Sequence, residues 1–277
     1  MDKELFTAQQ CLAFVDGSPA AVAAHDREAW LALFAPDAVV EDPVGSAPHR
    51  RGGGVRDPLG PFYDTFIAAN DIRFEVRRDC VCGLHVMRDL SLEITMSPRL
   101  AVRVPMHLLY ELTPVAGELK IARLAAHWEL GPMLRQQIAS GPGFLTVGTA
   151  AGLRMLRHLG VRGVAGFGRA VKSAGESGKA LARRVVEAFN NADADAMAAL
   201  FDGIATPVAF PFDTLPLTPA EFARQGGVLQ LDKLLAAGDV VTATASYSGD
   251  GSLRQGVALF ECGPSAQRLR AARFYWS

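Results

Sequence analysis

Cysteine is scarce: Cys11, Cys80, Cys82 and Cys262 are the only four in 277 residues, too few and too scattered for a disulfide framework or a zinc site. Cys80 and Cys82 form CxC rather than CxxC, and in a strand both would lie on one face as reduced core thiols. No metal and no cofactor is expected. Net charge is also lacking, because a formal value of -1 leaves no global positive charge to displace counterions from phosphates. No nucleic-acid partner is expected. The opening MDKELFTAQQ is acidic and mixed rather than cationic then apolar, so it predicts no secretory leader and a cytoplasmic protein. Residues 136 to 153 carry no charge, yet their Gln, Ser, Pro and four glycines make them too polar for a spanning helix. A phosphate loop is missing too: Arg50-Arg51-Gly52-Gly53-Gly54 has neither Walker spacing nor a following Lys-Ser/Thr, and reads as a turn.

With 49% apolar and 21% charged residues, the chain has ordinary globular composition and enough length for two cores. Those two cores look alike. In AAHDREAWLALFAPDAVVED, Asp26 can cap a helix bearing Trp30, Leu33 and Phe34, and a β-branched run follows. In NNADADAMAALFDGIATPVAF, Asp193 stands where Asp26 did, and Met197, Leu200 and Phe201 replace the three apolar residues. KIARLAAHWEL and RLRAARFYWS both alternate and both end on a tryptophan, Trp128 or Trp276. The pattern reads as an internal duplication.

Between helix and last strand, the first unit offers a helix in PFYDTFIAAN and strands near 72 to 80, 82 to 96, 99 to 112 and 120 to 130. The second unit offers strands near 238 to 248, 253 to 263 and 268 to 276. Helices followed by a run of strands predict an α+β fold with antiparallel sheets. The expected divisions are a first domain at 1–135, a Gly-rich cationic linker at 136–177 and a shorter second copy at 178–277. No acid separates Glu129 from Glu176, while Arg135, Arg154, Arg157, Arg162, Arg169 and Lys172 accumulate there. A connector packed on the domains is the main reading, and an anionic membrane surface is the partner the charge would suit.

Residues 39 to 48, VVEDPVGSAP, raise the chemical question, since an apolar run enters Glu41-Asp42 and then a Pro-x-Gly turn. Taken with the preceding helix, Phe62-Tyr63 on the next one and His127-Trp128 on the last strand, this order resembles the ketosteroid isomerase and SnoaL-like branch of the nuclear transport factor 2-like superfamily. The resemblance implies two cone-shaped domains, each a curved antiparallel sheet around helices, with an apolar pocket for a small hydrophobic ligand, steroid- or polyketide-like. It further implies a carboxylate at Asp42 that moves a proton in a 3-ketosteroid, opposite an oxyanion hole of a tyrosine and a protonated aspartic acid.

Here that tyrosine falls on Ser18, with Phe14 one turn earlier, and neither is a phenol. The acid falls within Met106 to Leu108, where only His107 can donate a hydrogen bond. Tyr63 matches a supporting tyrosine. Asp42, His107 and Tyr63 are therefore the candidate catalytic residues, and Phe14, Ser18, Trp30, Phe62, His127 and Trp128 the candidate ligand contacts. A lyase or cyclase using Asp42 with a histidine, and a non-catalytic carrier or regulatory module, are the alternatives. The second unit carries Ala209 or Phe210 where Asp42 stands, so it reads as a partner whose sheet makes a pseudo-dimer within the chain, with a homodimer as a further option.

Overall fold

The computed structural model describes residues 6–52, 57–98, 100–139, 143–249 and 251–277. Gly53 and Gly54 of the expected turn, and the first five residues of the leader reading, lie outside the described residues. The first half opens with helices α1 (Ala8–Val15), α2 (Gly17–Ala23) and α3 (Arg27–Ala32). Strands β1 (Phe34–Glu41) and β2 (His49–Arg50), helix α4 (Leu59–Phe66), and the long strands β3 (Asp71–Cys82), β4 (His85–Ser97), β5 (Leu100–Val115) and β6 (Glu118–His127) follow. Next come α5 (Leu130–Ala139), α6 (Gly143–Gly168) and a single 3-10 turn. The second half comprises α7 (Gly175–Asn190), α8 (Ala194–Ala199), β7 (Val208–Ala209), α9 (Pro219–Ala223), β8 (Val228–Ala237), β9 (Val240–Gly249), β10 (Ser252–Cys262) and β11 (Leu269–Trp276).

The same capping chemistry starts one helix in each half. The Asp26 carboxylate accepts the amide N–H of Ala29 at 2.9 Å, and Asp193 accepts that of Ala196 at the same distance. Each aspartate thus satisfies a donor that the first turn of its helix leaves open. The sheet orders also correspond, β2-β1-β6-β5-β4-β3 in the first half and β7-β11-β10-β9-β8 in the second. Neighbours are antiparallel except where β1 meets β6 and β7 meets β11; those two pairs are parallel. The result is a mixed α+β fold of two curved sheets rather than strictly antiparallel ones. Strand β8 is an addition to the sequence reading, and the segment expected as a Gly-rich linker is largely helical, bending at Gly160, whose φ is +66°.

Strict alternation along the strands builds three cores. On β5, Val104, Met106, Leu108 and Tyr110 face the helices of the first half, whereas Leu109 faces the other way. Ala258 and Phe260 likewise face the helices of the second half, and Val257 and Leu259 turn outward. The outward faces of the two sheets meet in a third cluster that joins Cys80, Met87 and Leu109 to Val257, Leu259 and Tyr275. Helices therefore cover one face of each sheet, and the sheets cover each other. Gly45, at φ +93°, sets the closest approach: a Cβ there would lie 2.5 Å from the Cα of Gly238. Only glycine meets both the positive φ and this backbone contact.

Candidate active site

The two acids that end β1 go to opposite faces, as the period of a strand requires. Glu41 is held by Arg123, whose Nε donates to it at 2.7 Å on the outer face. Asp42 returns to the face of Val40, which is fully buried in the first core. Because β1 and β6 run parallel, with Glu41 opposite Ala125, the residues just past both strands emerge at the same rim. This brings Trp128 to Asp42, and the indole Nε1–H donates to Oδ1 at 2.6 Å. The turn is tied down by the amide of Val44 donating to the carbonyl of Ala126 at 2.9 Å.

Asp42 lies in the wall of a cavity of about 420 Å³. The sheet contributes Leu92, Ile94, Met96, Val104 and Met106, and α4 contributes Phe62, Thr65 and Phe66. The remaining wall comes from α5 through Met133 and Gln137, and from α6 through Val147, Ala151, Arg154 and Met155. Such an apolar cavity with few polar groups suits a small hydrophobic molecule. Burial pushes the Asp42 carboxyl up to about 6, against the opposing pull of the Trp128 hydrogen bond. A carboxylate that titrates there is a stronger base than an ordinary aspartate and is still ionised at neutral pH.

Of the residues expected at the site, Asp42, Phe62 and Trp128 line the cavity. His107 does not, because it alternates with Met106 and points at the second sheet. Its Nδ1 lies 2.8 Å from the Thr242 hydroxyl and its Nε2 3.2 Å from that of Thr244. Thr244 gives its own proton to Asp89 at 2.7 Å, so it accepts from Nε2–H, and Nδ1 accepts from Thr242. Lys233 completes this cluster with bonds to Asp89 and to the Leu90 and Met106 carbonyls.

His127 is turned away in the same manner and donates from Nδ1 to the His107 carbonyl at 3.2 Å. Burial lowers both imidazoles, His127 to about 4, which keeps them neutral at pH 7. Tyr63, one residue past Phe62 on α4, rotates away from the cavity toward Trp30, with ring centroids 5.6 Å apart. Its hydroxyl is buried without a partner. Trp30 lies behind Phe62 at 5.9 Å, one ring removed from the cavity. Phe14 packs against the first core and Ser18 is buried on α2, neither of them in the cavity wall.

The polar groups that do reach the cavity include three that the sequence reading did not place there. The Asn70 side-chain oxygen and Arg154 Nε are buried without a hydrogen-bond partner, and the Gln137 amide rests on the Met96 sulfur at 3.3 Å. Arg154 offers the strongest donor of the three. Its signal was its spacing, since Val147, Ala151 and Arg154 fall on one helical face at i, i+4 and i+7. Among the described residues, no group of three or more His, Cys, Asp or Glu side chains is placed to hold a metal ion.

Residues 15–130 match a family model described as the SnoaL-like domain. No curated protein matches the chain. Among solved structures, it is similar to a Mycobacterium tuberculosis protein in complex with estradiol-17beta-hemisuccinate, at 27% identity over 44% of this chain and 95% of that one, TM-score 0.39. It is also similar to Delta 5-3-ketosteroid isomerase from Mycobacterium sp., at 31% identity over 44% of this chain and 95% of that one, TM-score 0.37.

Proposed function

We propose that the first domain, residues 1–135, which matches the SnoaL-like domain model over residues 15–130, binds a small steroid- or polyketide-like ligand and moves a proton on it with Asp42 as the base. The observation that carries this reading is a titratable carboxyl, raised to about 6 and the one acid among the described residues that line the wall of an apolar cavity of about 420 Å³. A carbon acid held against Asp42 loses its proton to the carboxylate, and the same carboxylic acid returns it one or more carbons away. The enolate oxygen that forms between these steps needs a donor. Arg154 fills that role in this reading, because its Nε faces no partner and it lines the same cavity.

The test is incubation with a 5-ene-3-ketosteroid while conjugated-enone absorbance is followed. Asp42→Asn is expected to lower the rate by roughly 10² to 10⁴; an unchanged rate removes Asp42 as the base.

A second reading, a ligand carrier in which Asp42 only fixes a polar group, is favoured by one observation: among the described residues that line the cavity there is no tyrosine. Ligand stabilisation of the fold by steroids without turnover would select it. A lyase or cyclase route through His107 or His127 has no acid available, since neither ring lines the cavity. We read residues 178–277 as a degenerate second copy whose sheet takes the place of a partner subunit. The corresponding strand order and the shared third core support that reading.

A further inference from the structure

Helices α5 and α6 wall the cavity with one side and turn the other to solvent. On α6, Val147, Ala151 and Met155 face inward. Leu153 is 67% exposed, Leu156 48% and, past the bend at Gly160, Val161 74%. Ile138 on α5 is 59% exposed. Single exposed apolar residues are ordinary. These are concentrated: seven of the twelve exposed large apolar side chains among the described residues fall between Leu134 and Val171.

Charge follows the same boundaries. Arg135, Arg157, Arg162, Arg169 and Lys172 are all exposed in this stretch, and it holds no acid between Glu129 and Glu176. Both flanking acids are engaged elsewhere, with Lys179 Nζ 2.8 Å from Glu129 and 3.1 Å from Glu176. The outer side of the cavity wall is therefore apolar and cationic at once. No helix among the described residues is long and apolar enough to cross a membrane.

We propose that the outer face of α5 and α6 docks on a bilayer surface containing anionic lipid. The exposed leucines and valines enter the headgroup boundary while the arginines meet lipid phosphates and carboxylates. An acidic protein would satisfy the cations but would leave Leu153, Leu156 and Val161 unexplained. Docking places the wall of an apolar cavity against the phase in which apolar molecules concentrate, so the ligand can exchange between cavity and bilayer. That exchange rests on the proposed ligand-binding function; the docking itself does not.

The test floats the full chain with vesicles of phosphatidylcholine, with or without phosphatidylserine. Association is expected to require phosphatidylserine and to weaken as salt is raised. Arg157→Glu with Arg162→Glu should weaken it by at least about tenfold, since each cation near such a surface contributes roughly a fivefold gain in partitioning. Leu153→Ser with Leu156→Ser should weaken it by a similar factor.

None of these four side chains lines the apolar cavity. Stabilisation of the fold by added steroid should therefore survive in both double variants, which separates docking from the function proposed above. Equal recovery with and without phosphatidylserine, recovery with neither, or binding unaffected by the leucine substitutions would each overturn the proposal; the last would mark a purely electrostatic surface for an acidic macromolecule.

Discussion

The two halves place different residues where a short first strand runs parallel to the last strand of its sheet, in a six-stranded sheet in one half and a five-stranded sheet in the other. In the first, β1 runs into Asp42 beside Trp128, and the indole N–H has a carboxylate to donate to. In the second, β7 runs into Phe210 beside Trp276, the two rings meet edge to face at 5.8 Å, and the Trp276 Nε1 is buried with no partner. Phe210 also packs on Tyr247 at 5.0 Å and on Phe222 and Phe274 at 5.1 Å, so rings fill the space that is a cavity in the first half. The difference shows that this fold does not require a hollow interior. A cavity persists where a polar residue at the strand end and a wall of separate helices prevent the rings from closing over it.

Exchanging the two side chains gives the largest expected effect. Phe210→Asp removes the centre of a packed aromatic cluster and buries a carboxylate there, and is expected to cost more than about 4 kcal/mol in urea unfolding. Asp42→Phe enters a cavity with room for a ring, and should leave stability unchanged or higher while abolishing ligand binding. If both exchanges cost the same, the comparison between a filled and an open interior fails.

Ionisation comes next in size. Asp42 is raised from 3.8 to about 6, so the native chain holds this proton more tightly than the unfolded one. Its contribution to stability is complete below about pH 4 and is lost as pH rises through 6. Asp42→Asn should therefore stabilise the protein at pH 7, by up to about 3 kcal/mol, while lowering turnover.

His127 behaves oppositely, because burial lowers it from 6.5 to about 4 and the unfolded chain takes up the proton first. Stability present above pH 6.5 is lost as pH falls toward 4, again by up to about 3 kcal/mol. The two slopes oppose each other in one window, and only the variants resolve them. Urea titrations of Asp42→Asn should lose the opposing aspartate slope and fall more steeply with acid than wild type, and those of His127→Gln should lose part of the acid-side slope, with buried His107 keeping its own share. A wild-type slope retained in either variant would break the assignment.

The place of Asp42 in the cavity wall was legible because its signal is local, the strand, the turn and the acid lying within ten residues of one another, and the alternation puts Asp42 on the face of Val40. Its donor Trp128 and the rest of the wall come from distant segments. His107 and His127 carried the same parity signal, which placed them on one face of their strands but did not say which face met the cavity. For His107 the answer depended on Thr242, Thr244 and Asp89, contacts more than a hundred residues away in two of the three cases, and His127 sits on the same side through its bond to the His107 carbonyl. Arg154 was hidden by the glycines around it, which lower helix propensity enough to disguise a helix that gains its stability from packing. Strand β8 was missed because its pairing with β9 shifts between Leu231 and Leu234, breaking the alternation that marks the other strands.

The smallest expected effect compares the tryptophans directly. Trp128→Phe removes the hydrogen bond that holds the Asp42 carboxyl down, leaving burial unopposed, so the group should titrate above its present value of about 6. Hydrogen bonds to charged groups contribute about 1.5 kcal/mol or more, so the midpoint of the pH–rate profile should move up by about one pH unit. Turnover at pH 6 then falls further than turnover at pH 8. Trp276→Phe removes a buried indole N–H that has no acceptor, so it should show no such pH signature and should cost only the packing lost with the smaller ring. A pH-independent loss in Trp128→Phe, equal to that in Trp276→Phe, would make both indoles simple core residues and leave Asp42 tuned by burial alone.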